Sequence, residues 1–321
     1  MSIVRNPASR IVIFNHKGGV GKTTLTDNIA SAIGRLNKKV LLVDSDPQCN
    51  LTLLRLNKDF VDRLIDTSEK PEGRTIWSAL KPVVDALGDV KITKPIDLEE
   101  NRWLVPGDIR LVEYESELNA YWLECFARKI RGFRGTAAMS HLVNALVDKY
   151  SIDFVFYDSG PNIGPLNRIV MLDCDYFIIP AACDYFSLSA IKTLGHAVAA
   201  WIKDWSMITQ LAPDGIYLLP GRPRFLGYIP QRFSIYDGAP TKAYARFFSR
   251  IEKEVQEQVV SRLSGIDRGL VPRKDVSVKL GEVRDLRAQA VRSQSTGAAI
   301  PDKSFDEIAR RIVERTANWQ S

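Results

Sequence analysis

The run from Arg10 to Asp44 constrains this chain more than any other feature. RIVIF (10–14) is a short apolar strand, NHKGGVGK (15–22) is a glycine-rich loop, residues 23–36 carry a helical apolar period, and KVLLVD (39–44) is a second strand. Strand, loop, helix and strand in so short a stretch form a βαβ unit, with parallel strands and a right-handed crossover.

The loop itself implies an anion. Gly18, Gly19 and Gly21 tolerate positive φ and let the backbone approach a phosphate. Successive N–H groups then form a concave nest, and a helix starting near Thr23 aims its free N–H groups and dipole at the same point. Lys22 is placed to reach β- and γ-phosphates, and the Thr23 hydroxyl to ligate magnesium. The standard phosphate loop has glycine at position 16, where this chain has His16. A second lysine, Lys17, falls on the outer side of the loop, poorly placed for the phosphates its own loop cradles. It is either a solvated loop residue or a cation delivered across a dimer interface to a partner's nucleotide.

Further strands are expected within 102–108 (stopping at Pro106 and Gly107), at 152–158, 175–181 (closed by Pro180), 215–220 and 225–230, with a short one near 276–280. Helices are expected at about 112–130, 136–149, 187–205, 240–263 and 304–319. Residues 54–100 read as helices and loops. The pattern predicts an α/β fold, a doubly wound and mostly parallel sheet flanked by helices. One domain over 1–321 is expected, decorated at about 54–135.

Composition narrows the partners. The net charge is +6, but residues 222–321 hold 19 Lys/Arg against 12 Asp/Glu, net +7, so the remainder is nearly balanced. A basic C-terminal third permits an anionic partner. Cys49, Cys125, Cys174 and Cys183 are scattered without a CxxC, which argues against a disulfide framework or structural zinc. No apolar stretch is long enough for a transmembrane helix, and nothing near the N-terminus resembles a signal peptide. A cytoplasmic location is expected.

The loop HKGGVGKTT resembles the deviant Walker A motif of the ParA/MinD family of dimeric ATPases. VLLVDSDPQCN (40–50) is similar to the family segment after the second strand, and FVFYDSGPNIGPL (154–166) to its Walker B strand and switch loop, with one proline where the family shows a pair. VPGDIRLVEYESEL (105–118), DYFIIPAACDYFSLSAIKTL (175–194) and GYIPQRF (227–233) follow in family order, so the resemblance covers about 10–310. It implies a P-loop NTPase of deviant Walker A type that uses ATP and Mg2+. Lys17 matches the signature lysine, acting in trans in an ATP-sandwich homodimer, and Lys22 the usual loop lysine. The loop backbone through Val20 and Gly21 to Thr24 would hold phosphate. Thr23, Asp44 and Asp158 match the magnesium residues, Asp158 through water. Asp46 matches the residue that orients the attacking water, and Gln231 or Arg232 would touch adenine.

The family's branches differ in what they dock to. Iron–sulfur carriers pair cysteines at the dimer interface, which the scattered cysteines here do not suggest. The tail stripe Phe305, Ile308, Ile312 and Val313 is narrow for a membrane-surface helix and is expected to pack on the domain. No helix-turn-helix module is evident. Partition ATPases, the ParA/Soj-like branch, bind nonspecific double-stranded DNA with C-terminal basic residues. The matching candidates are Arg284, Arg287 and Arg292, expected on a helix over 280–294, and Lys242, Arg246 and Arg250 on another. The expectation is a nucleoid-associated partition ATPase released by a ParB-like or other stimulating partner. The alternative is a nucleotide-gated adaptor that recruits a protein complex without DNA.

Overall fold

The computed structural model describes residues 8–233, 235–236, 239–240, 242–284, 300 and 302–320. The first strand, β1 (Ser9–Ile13), is buried throughout, as expected for the middle of a sheet covered on both faces. The helix α1 (Lys22–Arg35) and strand β2 (Val40–Asp44) complete the βαβ unit. Three short helices follow: α2 (Asn50–Arg55), α3 (Lys58–Asp66) and α4 (Ile76–Val84). After them come β3 (Ile96–Leu98) and β4 (Arg102–Val105). A helical pair, α5 (Leu111–Phe126) and α6 (Ile130–Tyr150), leads to β5 (Phe154–Asp158), α7 (Pro165–Asp173), β6 (Tyr176–Ala182) and α8 (Tyr185–Thr209). The C-terminal third adds β7 (Arg224–Phe233), a small hairpin of β8 (Ile235–Tyr236) and β9 (Ala239–Pro240), α9 (Lys242–Glu254) running on through a π-helical turn, and α10 (Ser261–Ser264). Strand β10 (Val283–Arg284) and α11 (Lys303–Gln320) close it.

The eight-stranded sheet has the order β10-β7-β6-β1-β5-β2-β4-β3. All its pairings are parallel except β3 with β4. The expected α/β class is therefore observed. β1 lies between β5 and β6, so the glycine loop leaves the carboxyl edge at the middle of the sheet, where open α/β sheets bind ligands. One face is covered by α4 to α8, whose core includes Trp77, Tyr114, Phe133 and Trp205. The other is covered by α1 and α11, through Ile29, Ile33, Phe305, Ile308 and Ile312. The tail stripe thus packs on the domain. Among the described residues no helix is long and apolar enough to cross a membrane.

Three expectations are corrected. Residues 215–220 are not a strand: β6 pairs with β1 and β7, and this segment pairs with no strand of the sheet. Their polar groups are met elsewhere: Leu219 O accepts from Trp205 Nε1, and the Tyr217 hydroxyl bonds Ser140. The strand expected to end at Pro180 runs to Ala182, and the Pro180 carbonyl accepts from Asn15 Nδ2 at 2.8 Å. Within 54–100, expected as helices and loops, residues 96–98 form the edge strand β3; three residues after Pro95 carry no period that reveals it. It forms through a tight turn with Glu100 and Asn101 at positive φ.

A buried ion pair fixes the sheet to the α6–α7 side. Arg10 Nη1 lies 2.6 Å from Asp173 Oδ2, and Ser140 and Tyr157 also donate to that carboxylate.

Candidate active site

The glycine loop has the conformations its composition allows. Gly19 and Gly21 have φ of 68° and 72°, a region that favours glycine. Val20 is fully buried and anchors the loop, leaving its backbone to the site. Helix α1 starts with Gly21 at its N-cap and no side-chain cap, so its first N–H groups face outward. They border a cavity of about 520 Å³ lined by residues of the loop (Gly18, Gly19, Gly21 to Thr24), the Asp46–Leu54 stretch, Ser159 and Pro161, and Ile300.

Three carboxylates gather at the ends of β2 and β5. Asp44 and Asp158 are register partners on adjacent parallel strands, and both are fully buried. Neither oxygen of Asp158 has a hydrogen-bond partner; the Thr23 hydroxyl stands near it but outside bonding geometry. Burial, with Asp44 and Asp46 close by, raises the Asp158 carboxyl well above the usual range, against the pull of Thr23 and Lys22. A buried carboxylate without donors, beside a hydroxyl and an open helix N-terminus, fits a cation. Among the described residues no three His, Cys, Asp or Glu side chains converge on a metal. A cation here would take most of its oxygens from phosphate and water, as Mg2+ does.

Asp44 is turned differently. Its Oδ2 accepts from both the N–H and the hydroxyl of Thr52, at 2.8 and 2.6 Å, and Thr52 Oγ1 accepts from Gly107 N–H. Asp44 therefore ties α2 to the loop after β4. Asp46 is nearly buried, accepts from Gln48 N–H at 3.0 Å, and lines the cavity.

The two lysines part company. Lys22 is buried at the cavity, its Nζ donating to the Lys17 carbonyl at 3.3 Å; burial lowers its pKa, and Asp158 and Asp46 oppose this. Lys17 points away, with Nζ 2.5 Å from Asp184 and 3.4 Å from the Ser187 hydroxyl, over the exposed Phe186 ring at 5.7 Å from its centroid. Burial would raise the Asp184 carboxyl, but Lys17 and the Ser187 N–H hold it below the usual range.

Gln231 is brought to the loop: its Oε1 lies 2.7 Å from where a Cβ on Gly21 would stand, and its Nε2 is buried without a partner. Arg232 is the next residue of β7, described by its backbone alone. Lys242, Arg246 and Arg250 share α9 as expected, and Arg250 stacks on Tyr185 at 5.4 Å. Arg284 lies in strand β10, not on a helix, because Val283 and Arg284 extend the sheet beside β7. Arg287 and Arg292 lie outside the described residues. Sequence reasoning missed Thr52, Asp184 and Ile300 as parts of the site. Asp184 had a signal, since an aspartate before a helical run reads as an N-cap. Ile300, whose N–H donates to Asn28 Oδ1 at 2.6 Å, had none.

A glycine loop at the centre of a parallel sheet, opening on an uncapped helix and flanked by buried strand-end carboxylates, defines a P-loop nucleoside triphosphatase. The chain belongs to the AAA-domain family, whose model matches residues 8–210, and within it to the ParA/Soj/MinD-like ATPases with a deviant Walker A loop. It is 29% identical over 209 residues to the sporulation initiation inhibitor protein Soj of Bacillus subtilis, covering 65% of this chain and 71% of that protein. It is 26% identical over 310 residues to the chromosome-partitioning ATPase Soj of Treponema pallidum, covering 95% and 97%. A crystal structure of a Corynebacterium diphtheriae protein matches at a TM-score of 0.75, with 26% identity, over 98% of this chain and all of that one.

Proposed function

We propose that this protein is a partition-type ATPase that closes into a dimer on ATP, binds DNA without sequence preference in that state, and is released when a partner stimulates hydrolysis. The observation that carries this reading is the contrast between the two lysines. Lys22 lines the cavity, whereas Lys17 is turned away from it toward Asp184 and the exposed Phe186 at the start of α8. A cation that faces outward from its own site is placed to serve a second copy. The exposed apolar Ile163, in the switch loop, and Val112, at the start of α5, suit the same contact.

In this reading the Gly18–Thr24 backbone and Lys22 hold the phosphates. The Thr23 hydroxyl and Asp158, the latter through water, hold Mg2+, which when bound offsets charge on the phosphate oxygens. Asp44 fixes α2 and the loop after β4 behind them. Asp46 orients the attacking water. Lys17 of one subunit reaches the nucleotide of the other and stabilises charge as phosphoryl transfer proceeds. Gln231, with an unpartnered donor at Gly21, contacts the nucleotide from β7. The DNA contacts come from the basic C-terminal third, Arg250 on α9 being the candidate whose side chain is described, and go to phosphates.

The test is binding to random-sequence duplex DNA with ATP, ADP or no nucleotide across a salt series, beside Asp46→Ala. The reading expects tight, salt-sensitive binding with ATP alone, persisting in Asp46→Ala. ATP-driven dimerisation with no DNA bound at low salt would remove DNA from it.

A further inference from the structure

Asn28 stands one turn beyond Thr24 on α1, buried, with both ends of its amide in use. Its Nδ2 donates to the Thr24 carbonyl at 2.8 Å. Its Oδ1 accepts from the Ile300 N–H at 2.6 Å, across 272 residues of chain. These two bonds fix the orientation of the amide. Turned over, it would set oxygen against the Thr24 carbonyl and N–H against N–H. A buried backbone N–H needs an acceptor, and for Ile300 a side chain of α1 supplies it.

Ile300 is also held on the side of α11. Its carbonyl accepts from the Asp302 N–H at 2.9 Å, and the Asp302 carboxylate accepts from the Ser304 N–H at 2.8 Å, in the first turn of that helix. Further along α1, Arg35 Nη2 reaches Asp306 of α11 at 2.6 Å. Ile300 is 4% exposed and shares a buried cluster with Leu25, Ile29 and Leu51. It also lines the cavity, whereas Asn28 does not. Much of that lining is loop backbone and the polar side chains of Lys22, Asp46 and Ser159. Its apolar side chains are Leu54, Pro161 and Ile300. A triphosphate uses N–H groups and a lysine, whereas the flat faces of a base and its sugar need apolar wall.

We infer that Asn28 is a positioning residue for nucleotide binding: by accepting the Ile300 N–H it holds Ile300 as an apolar wall of the cavity, against which the nucleoside rests. Asn28 touches no part of the nucleotide. It acts through Ile300, and its bond to the Thr24 carbonyl ties that wall to the first turn of the helix that follows the phosphate loop. The nucleotide part of this inference rests on the ATPase reading above; the positioning of Ile300 does not.

Two measurements on the full chain test it. The first is amide hydrogen exchange without nucleotide. Asn28→Ala should speed exchange at the Ile300 amide by roughly tenfold, the factor for a lost buried hydrogen bond, and leave β2 and β5 unchanged. Asn28→Asp, whose carboxylate still accepts that N–H, should keep the Ile300 amide within about threefold of the parent. The second is calorimetric titration with ATP. Asn28→Ala, which frees the wall, and Ile300→Ala, which removes it but keeps the bond, should each weaken binding by roughly fivefold. The double variant should lose no more than about tenfold, short of the product of about twenty-fivefold, since both substitutions act on one wall. Unchanged exchange at Ile300 in Asn28→Ala overturns the inference, and so does exchange as fast in Asn28→Asp. Losses that multiply in the double variant overturn it too, as does ATP binding that either single substitution leaves unchanged. If the parent protein binds no ATP, the ATPase reading fails and the nucleotide part with it; the exchange comparison then decides by itself whether Asn28 positions Ile300.

Discussion

The Lys17 ammonium lies 2.5 Å from the Asp184 carboxylate, the residue that also caps α8 by accepting from the Ser187 N–H. One acidic side chain therefore holds both the start of a long helix and the lysine that the family resemblance sends to a partner subunit.

Removing the acid should favour the dimer. The pair is part-exposed, with side chains 24% and 41% accessible, so its worth is at most about 1 kcal/mol. Asp184→Asn keeps a cap for α8 and should shift the ATP concentration for half-dimerisation down by up to about fivefold. Sedimentation velocity across an ATP titration measures this. A shift upward would mean that the pair supports the dimer.

Lys22→Ala should weaken ATP binding by at least about tenfold, through loss of a charge-assisted contact at the helix N-terminus. Lys17→Ala should leave nucleotide affinity of the monomer within about twofold, as its ammonium points away from the cavity. Calorimetric titration of both variants distinguishes the lysines. Equal losses would contradict their separate placement.

Stability should depend on pH through Asp44 and Asp158. Burial raises both carboxyls, and Asp44 is pushed up to about 7. The folded state then holds protons that the unfolded chain, titrating near about 4, has released. This contribution is full below the unfolded pKa and is lost as pH rises through the folded values. Without divalent cation, Tm should therefore fall between about pH 5 and pH 8. Mg2+ with ATP should reduce the fall, because a bound cation favours the ionised form. Thermal denaturation at several pH values, with and without Mg-ATP, checks the sign.

Asp173→Ala should be strongly destabilising. It leaves the buried Arg10 guanidinium without its carboxylate, at a cost of about 3–5 kcal/mol. Urea denaturation should give that loss with little change in nucleotide affinity per folded molecule, since Arg10 and Asp173 sit away from the cavity.

Much of the site was legible in order along the chain. Gly18 to Thr24, Asp44, Asp46 and Asp158 are read from local pattern because each lies at a strand end or in the loop that follows one, where backbone geometry is set within a few residues. The misreadings share a cause. Residues 215–220 look like a strand by composition, yet a strand forms only where the sheet offers it a partner, and that is a property of the whole sheet. Arg284 was placed on a helix by its neighbours' spacing, yet the open edge of β7 made it a strand.

The sequence by itself determined the βαβ unit, the phosphate loop and the acidic strand ends, because these follow from glycine's conformational freedom and from apolar periods over short distances. Tertiary structure alone decided which groups are partnered. It set Lys17 against Asp184, 167 residues away, and Thr52 against Asp44, while leaving Asp158 without a donor. The physical reason is that a side chain's partners depend on which elements the sheet brings to its edge, and in a parallel sheet neighbouring strands are separated by long crossovers.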